Sequence, residues 1–193
     1  MNLPNKLSIL RMCMIPVFAV FFLLDGYVPY NYLISAIIFV LAAFTDFLDG
    51  MIARKYNLVT NFGKFLDPIA DKVLVATAYV LICLIPFPSY TAQKLIAVAV
   101  AIILARELII SGFRMQAASM QIVLAADKTG KIKTVCQDVS IVVLLLSFDF
   151  PLMAGKVSVL NTIGLCFLGL AVVMTIVSGF NYILKNKHVL KDE

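Results

Sequence analysis

The sequence predicts an all-α integral membrane protein, a bundle of six transmembrane helices with room for a short N-terminal interfacial helix. Composition is the first reason: of 193 residues 62% are hydrophobic and 14% charged, too little polar surface for a water-soluble domain of this size. The second is that apolar runs approaching the roughly 20 residues needed to cross hydrocarbon recur six times. The third is the placement of basic residues, which falls almost entirely in alternate connections.

The first run, Leu7 to Leu24, follows Asn2-Leu-Pro-Asn-Lys-Leu, where Pro4 can open a helix. Leu3, Leu7 and Leu10 recur at helical spacing while Lys6 and Arg11 can reach water, which suits a helix lying on the interface. A frayed terminus is the alternative. The run lacks a small-residue cleavage signature, so no removable signal peptide is expected. The second run, Tyr32 to Ala53, comes after the turn-forming Asp25-Gly-Tyr-Val-Pro-Tyr, and the third, Lys64 to Ile85, stops at Pro86-Phe-Pro-Ser. The fourth covers Leu95 to Met115 and leads into the longest connection, Gln116 to Lys133. The fifth, Val135 to Phe148, is the weakest because Asp138 lies inside it, and the sixth runs from Val157 to Leu184 after Phe150-Pro-Leu-Met-Ala-Gly. No soluble insert, repeat or low-complexity tract intervenes, so residues 1–193 read as one membrane domain.

An even number of spans puts both termini on one side, and that side receives every Lys and Arg except Lys94 and Lys156. Both termini are therefore expected in the cytoplasm, in a multi-pass protein of the cell's inner membrane. The net charge of +5, gathered on one face, favours anionic headgroups or phosphorylated substrates and does not indicate nucleic acid. Cys13, Cys83, Cys136 and Cys166 are scattered without a CxxC and read as apolar fillers.

Against this apolar background four aspartates stand out: Asp46 and Asp49 late in the second run, Asp67 and Asp71 early in the third. Carboxylates at membrane depth are costly unless paired or metal-bound. At 100° per residue each pair shares a helix face, about 60° apart for the first and about 40° for the second. Asp46 is eight residues before Arg54 and Asp71 eight after Gly63, so in antiparallel neighbours both lie about 12 Å along their helices. Gly50 and Ala53, one turn from Asp46 and Asp49, leave space beside the carboxylates, and Arg54 at the cytoplasmic mouth suits phosphate. An all-carboxylate set without His or Cys favours Mg²⁺ or Mn²⁺, and two such ions about 4 Å apart would suit phosphoryl transfer. An ion-pair network with Arg54, Lys64 and Lys72, or a transporter's proton relay, is the competing reading.

The residues spell Asp-x2-Asp-Gly-x2-Ala-Arg-x8-Gly-x3-Asp-x3-Asp over 46–71, which resembles the signature of the CDP-alcohol phosphotransferase family. Asn5-Lys-Leu-Ser8-Ile-Leu-Arg11 likewise resembles that family's Asn-x2-Thr-x2-Arg, with Ser8 keeping the hydroxyl. The resemblance implies a six-helix, divalent-metal-dependent membrane enzyme, usually a homodimer, that releases CMP. It also implies metal on Asp46, Asp49, Asp67 and Asp71, with Asp71 as general base, and a CDP-diacylglycerol nucleotide bordered by Asn5, Ser8, Gly50, Arg54 and Gly63. Arg106-Glu107-Leu-Ile-Ile-Ser-Gly-Phe-Arg114 and Gly130-Lys131-Ile-Lys133-Thr134-x2-Gln137 are similar to the branch whose acceptor is sn-glycerol 3-phosphate. That implies Arg114, Lys131 and Lys133 around the acceptor phosphate, at the ends of the fourth and fifth spans, with phosphatidylglycerol phosphate as product. Other acceptors, such as inositol phosphate, serine or phosphatidylglycerol, keep the same aspartates.

Several residues carry a plainer reading. Basic loops follow from the positive-inside rule without any ligand, and Lys128 is no better explained by one reading than the other. Arg106 and Glu107, deeper in a span, suit either a site or a structural ion pair with Asp138 or a neighbouring helix. His188 lies in a polar tail and reads as solvated, and Gly130-Lys131 lacks the first glycine and the hydroxyl of a phosphate-binding loop. No GxxxG face marks a dimer contact.

Overall fold

The computed structural model describes residues 3–55, 61–87, 90–120, 128–150 and 159–186, and their side chains apart from 3–5, 47, 49–50, 52–55, 61–68, 118–119 and 128–129. Among the described residues it forms six helices: α1 (Leu3–Leu23), α2 (Asn31–Lys55), α3 (Asn61–Ile82), α4 (Tyr90–Ser119), α5 (Lys128–Asp149) and α6 (Val159–Lys185). They correspond in order to the six apolar runs, and the protein is an all-α membrane protein. Segments in α1 (Lys6–Leu23), α4 (Tyr90–Ala117) and α6 (Val159–Lys185) are long and apolar enough to cross a bilayer, and α2 has a shorter apolar stretch, Asn31–Asp46. Charge shortens the others: α2 ends in Asp46, Asp49, Arg54 and Lys55, α3 opens with Lys64, Asp67, Asp71 and Lys72, and α5 opens with Lys128, Lys131 and Lys133.

Two boundaries and one side chain depart from their expected places. The N-terminal segment runs without a break into α1, with Pro4 in its first turn, so the interfacial turns belong to one helix. Arg11, expected to reach water, is fully buried instead. α5 begins at Lys128 and not near Val135, which puts Lys131 and Lys133 on helical turns where sequence placed a loop. Hydropathy marks the apolar middle of a helix and misses polar turns that continue past it.

The helices gather into two compact units, residues 1–85 with 141–162, and residues 86–140 with 163–193. In the first, α1 packs on both α2 and α3, and α2 touches α3. Phe18 sits 6.3 Å from Phe22 and 6.2 Å from Phe39, and Tyr32 meets Phe22 edge-on at 5.3 Å and Phe148 at 5.5 Å. Such pairs add to burial because the rings' positive edges meet neighbouring faces. The α1–α2 turn closes on Asn31, whose Nδ2 donates to the Phe22 carbonyl at 3.2 Å, and passes through Gly26 and Tyr30 with positive φ. Leu33 N, an otherwise orphaned donor in the first turn of α2, donates to Asp149 Oδ2 at 2.5 Å.

In the second unit Ile96, Val100, Ile103 and Ile110 of α4 are buried, as are Leu168 and Ala171 of α6. Ser140 donates to the Gly164 carbonyl at 3.3 Å. The outer faces stay apolar, with Leu108 73% and Phe180 65% exposed, as expected for helices facing lipid.

Candidate active site

In the first unit α1 supplies Ser8 and Arg11, three residues apart and so on one helix face, and both are fully buried. A guanidinium removed from water needs a counter-charge. It finds one on α2, where Arg11 Nη1 stands 2.6 Å from Asp46 Oδ1. The contact is an ion pair and not an aligned hydrogen bond. Asp46 itself keeps 42% of its side chain exposed, so it is anchored without being sealed off. Asp71 is half-buried in α3, directly after the buried Ala70.

Arg11 is thus a cation on Asp46 that the ion-pair alternative does not include, and the side chains of Arg54 and Lys64, which that alternative does include, lie outside the described residues. The side chains of Asn5, Asp49, Arg54 and Asp67, and the glycines Gly50 and Gly63, lie outside the described residues. Among the described residues no three His, Cys, Asp or Glu gather to hold a metal ion. The donors that α2 and α3 do carry are carboxylates without His or Cys, which fits a hard divalent cation.

The second unit holds a denser polar group. Glu107 of α4 pairs with Arg106, Nη1 to Oε1 at 3.5 Å, and the same oxygen takes the ammonium of Lys133 from α5. Lys133 is 5% exposed, so it is an interior cation and not part of a solvated basic rim. Arg106 Nη2 donates to Ser178 Oγ of α6 at 3.0 Å. Arg114, two turns further along α4, donates from Nε to the Tyr182 hydroxyl at 3.2 Å, with Cζ 5.2 Å from the centre of that ring. Lys131 is exposed. The ion pair to a neighbouring helix is made by Glu107, with Lys133 of α5, while Arg106 pairs with Glu107 within α4 and hydrogen-bonds Ser178.

The profile of the CDP-alcohol phosphatidyltransferases matches residues 1–180. The chain belongs to the CDP-alcohol phosphatidyltransferase family. It is 40% identical to the CDP-diacylglycerol–glycerol-3-phosphate 3-phosphatidyltransferase of Bacillus subtilis (strain 168), over 98% of this chain and 97% of that one. The proteins of the same name from Sodalis glossinidius (strain morsitans) and Rickettsia bellii (strain RML369-C) are 38% and 36% identical, covering 98% and 94% of this chain and 97% and 93% of theirs. The chain is a membrane transferase of a family that generally depends on a divalent metal.

Sequence reading missed Arg11 as a partner of Asp46, and Ser178 and Tyr182 altogether. The signal was present: Ser8 and Arg11 share a face of α1, and Thr175, Ser178 and Tyr182 form a polar stripe on an apolar α6.

Proposed function

We propose that the protein transfers the phosphatidyl group of CDP-diacylglycerol to sn-glycerol 3-phosphate, giving phosphatidylglycerol phosphate and CMP. The observation that carries this reading is the near-full-length likeness to relatives that bear that activity in their names. The polar group of the second unit supports the acceptor. Arg106 and Lys133 gather on Glu107 while Arg114 is held on Tyr182, a set of cations of the kind that recognises a phosphate monoester.

Divalent metal, Mg²⁺ or Mn²⁺ and by the carboxylate count two ions, would be held by Asp46, Asp49, Asp67 and Asp71 and would supply positive charge against the diphosphate. The chain's own residues do the rest. Arg11 orients Asp46 as an outer-layer partner orients a ligand. Asn5, Ser8, Gly50, Arg54 and Gly63 border the nucleotide. Arg114, Lys131 and Lys133 hold the acceptor's phosphate, Arg114 through its planar fork of donors. Asp71 takes the proton from the acceptor's C1 hydroxyl. The freed oxygen bonds to the phosphorus that carries the lipid, the bond from that phosphorus to CMP breaks, and the electron pair leaves with CMP. Residues 1–193 serve as one membrane domain, in a homodimer of the cytoplasmic membrane with termini and active site facing the cytoplasm; the one-sided distribution of Lys and Arg supports that orientation.

The test is CMP release by purified protein in CDP-diacylglycerol micelles, with and without Mg²⁺ or Mn²⁺, offering glycerol 3-phosphate, inositol phosphate, serine or phosphatidylglycerol. Metal-dependent release with glycerol 3-phosphate alone is expected. Release with another acceptor and none with glycerol 3-phosphate would reassign the acceptor site.

A further inference from the structure

α6 contributes no residue to the expected site, yet Thr175, Ser178, Gly179 and Tyr182, at positions i, i+3, i+4 and i+7, line one face of a largely apolar helix. Thr175, Ser178 and Tyr182 are each at most 2% exposed. Buried polar groups at membrane depth call for partners, and here two of those partners are the arginines of α4. We propose that this face of α6 positions the acceptor-binding cations: Tyr182 fixes Arg114, and Ser178 with Gly179 fixes Arg106. The proposal rests on the acceptor reading given above and adds the residues that make it specific.

The contact with Tyr182 uses the inner nitrogen of Arg114, Nε, at 3.2 Å. Both terminal nitrogens are thereby left on the far side, the pair that grips two phosphate oxygens at once. The ring adds a cation–π contact with Cζ at 5.2 Å, and is itself set edge-on against Phe113 at 6.0 Å and 77°. Arg106 is held differently. Its Nη2 donates to Ser178 Oγ, and its stem lies so close to α6 that a Cβ at residue 179 would come within 3.2 Å of both Cγ and Nε. Glycine is therefore the residue that lets Arg106 lie along α6. Each guanidinium thus has a fixed partner on α6 before any ligand arrives. Arginines held in place before the ligand arrives lose less freedom on binding, which appears as a lower KM for the phosphorylated acceptor.

The experiment is steady-state kinetics on the full chain in micelles, varying glycerol 3-phosphate and CDP-diacylglycerol separately, with thermal unfolding measured on every variant. Arg114→Ala should raise the KM for glycerol 3-phosphate about 100-fold, as expected for loss of charge-assisted hydrogen bonds. Tyr182→Phe, which keeps the ring, should raise it about fivefold to tenfold, and Tyr182→Leu should approach the Arg114→Ala value. The KM for CDP-diacylglycerol and the unfolding temperature of Tyr182→Phe should stay near wild type. Arg114→Ala combined with Tyr182→Leu should be no worse than Arg114→Ala alone, because Tyr182 acts through Arg114. Gly179→Val should likewise raise the acceptor KM, and Gly179→Ala less. Arg114→Ala effective but Tyr182 and Gly179 variants silent would overturn the positioning role while sparing the acceptor reading. Equal rises in both KM values with a lowered unfolding temperature would make the α6 face merely structural. A silent Arg114→Ala would remove the acceptor reading and this inference with it.

Discussion

In the unit built around α1, α2 and α3 a single buried cation, Arg11, serves a carboxylate, Asp46, that stays 42% exposed. In the unit of α4, α6 and the start of α5 a single carboxylate, Glu107, serves two cations, Arg106 and Lys133, and Lys133 has a side chain only 6% exposed. Each pairing thus sets a charge of one sign against working groups of the other. The difference lies in what is left behind when that charge is lost: a hydratable aspartate in the first, an enclosed lysine in the second. Minority charges should therefore matter for ligand placement in the first unit and for folding in the second.

The most severe test removes a working group itself. Asp71→Asn, nearly isosteric, should lower kcat about a thousandfold while CDP-diacylglycerol still binds, since a positioned general base contributes about 10²–10⁴. Near-normal turnover would take the base away from Asp71. Next in size, Glu107→Gln should lose about 3 kcal/mol of stability, because it removes the carboxylate on which the buried Lys133 and the part-buried Arg106 both pair. The sign can be checked with ligand: glycerol 3-phosphate should stabilise this variant against heat more than it stabilises wild type. Equal ligand stabilisation would break the contrast between the units. Smallest is Arg11→Met, which keeps much of the side chain's bulk. It should raise the metal concentration needed for half-maximal activity about tenfold, as loss of an outer-layer partner does, with less thermal destabilisation than Glu107→Gln. A larger drop in unfolding temperature than Glu107→Gln would reverse the contrast.

The two units were also unequally legible in the sequence. Six helices followed from hydropathy because lipid demands apolar runs, and the four aspartates stood out because nothing else explains carboxylates there. Arg11 did not, because a cation in the first turns of a first span is what interfacial position alone would produce. Lys133 was hidden in the same way among basic residues that orientation already explains. Its inward face was nonetheless written in α5, where Lys133, Gln137 and Ser140 recur at helical spacing and are all buried. The positions of Ser178 and Tyr182 carried no chemistry by themselves. Their meaning comes from a contact between α4 and α6, 72 and 68 residues apart in the chain, which no local pattern encodes.

Arg11 also constrains the order in which the protein can be assembled. During synthesis α1 emerges first, and its guanidinium has no carboxylate to meet until residue 46 has been made. Until then Arg11 lacks that counter-charge and can turn to water or lipid phosphate, so α1 should rest displaced toward the headgroups. Pairing with Asp46 then draws it inward as the second helix arrives. Cys13, exposed and two residues away, is a natural reporter: its thiol should react faster with a water-soluble maleimide in a chain stalled after α1 than in one stalled after α2. Membrane insertion of this protein is then a two-helix event, with the depth of the first helix set by the second.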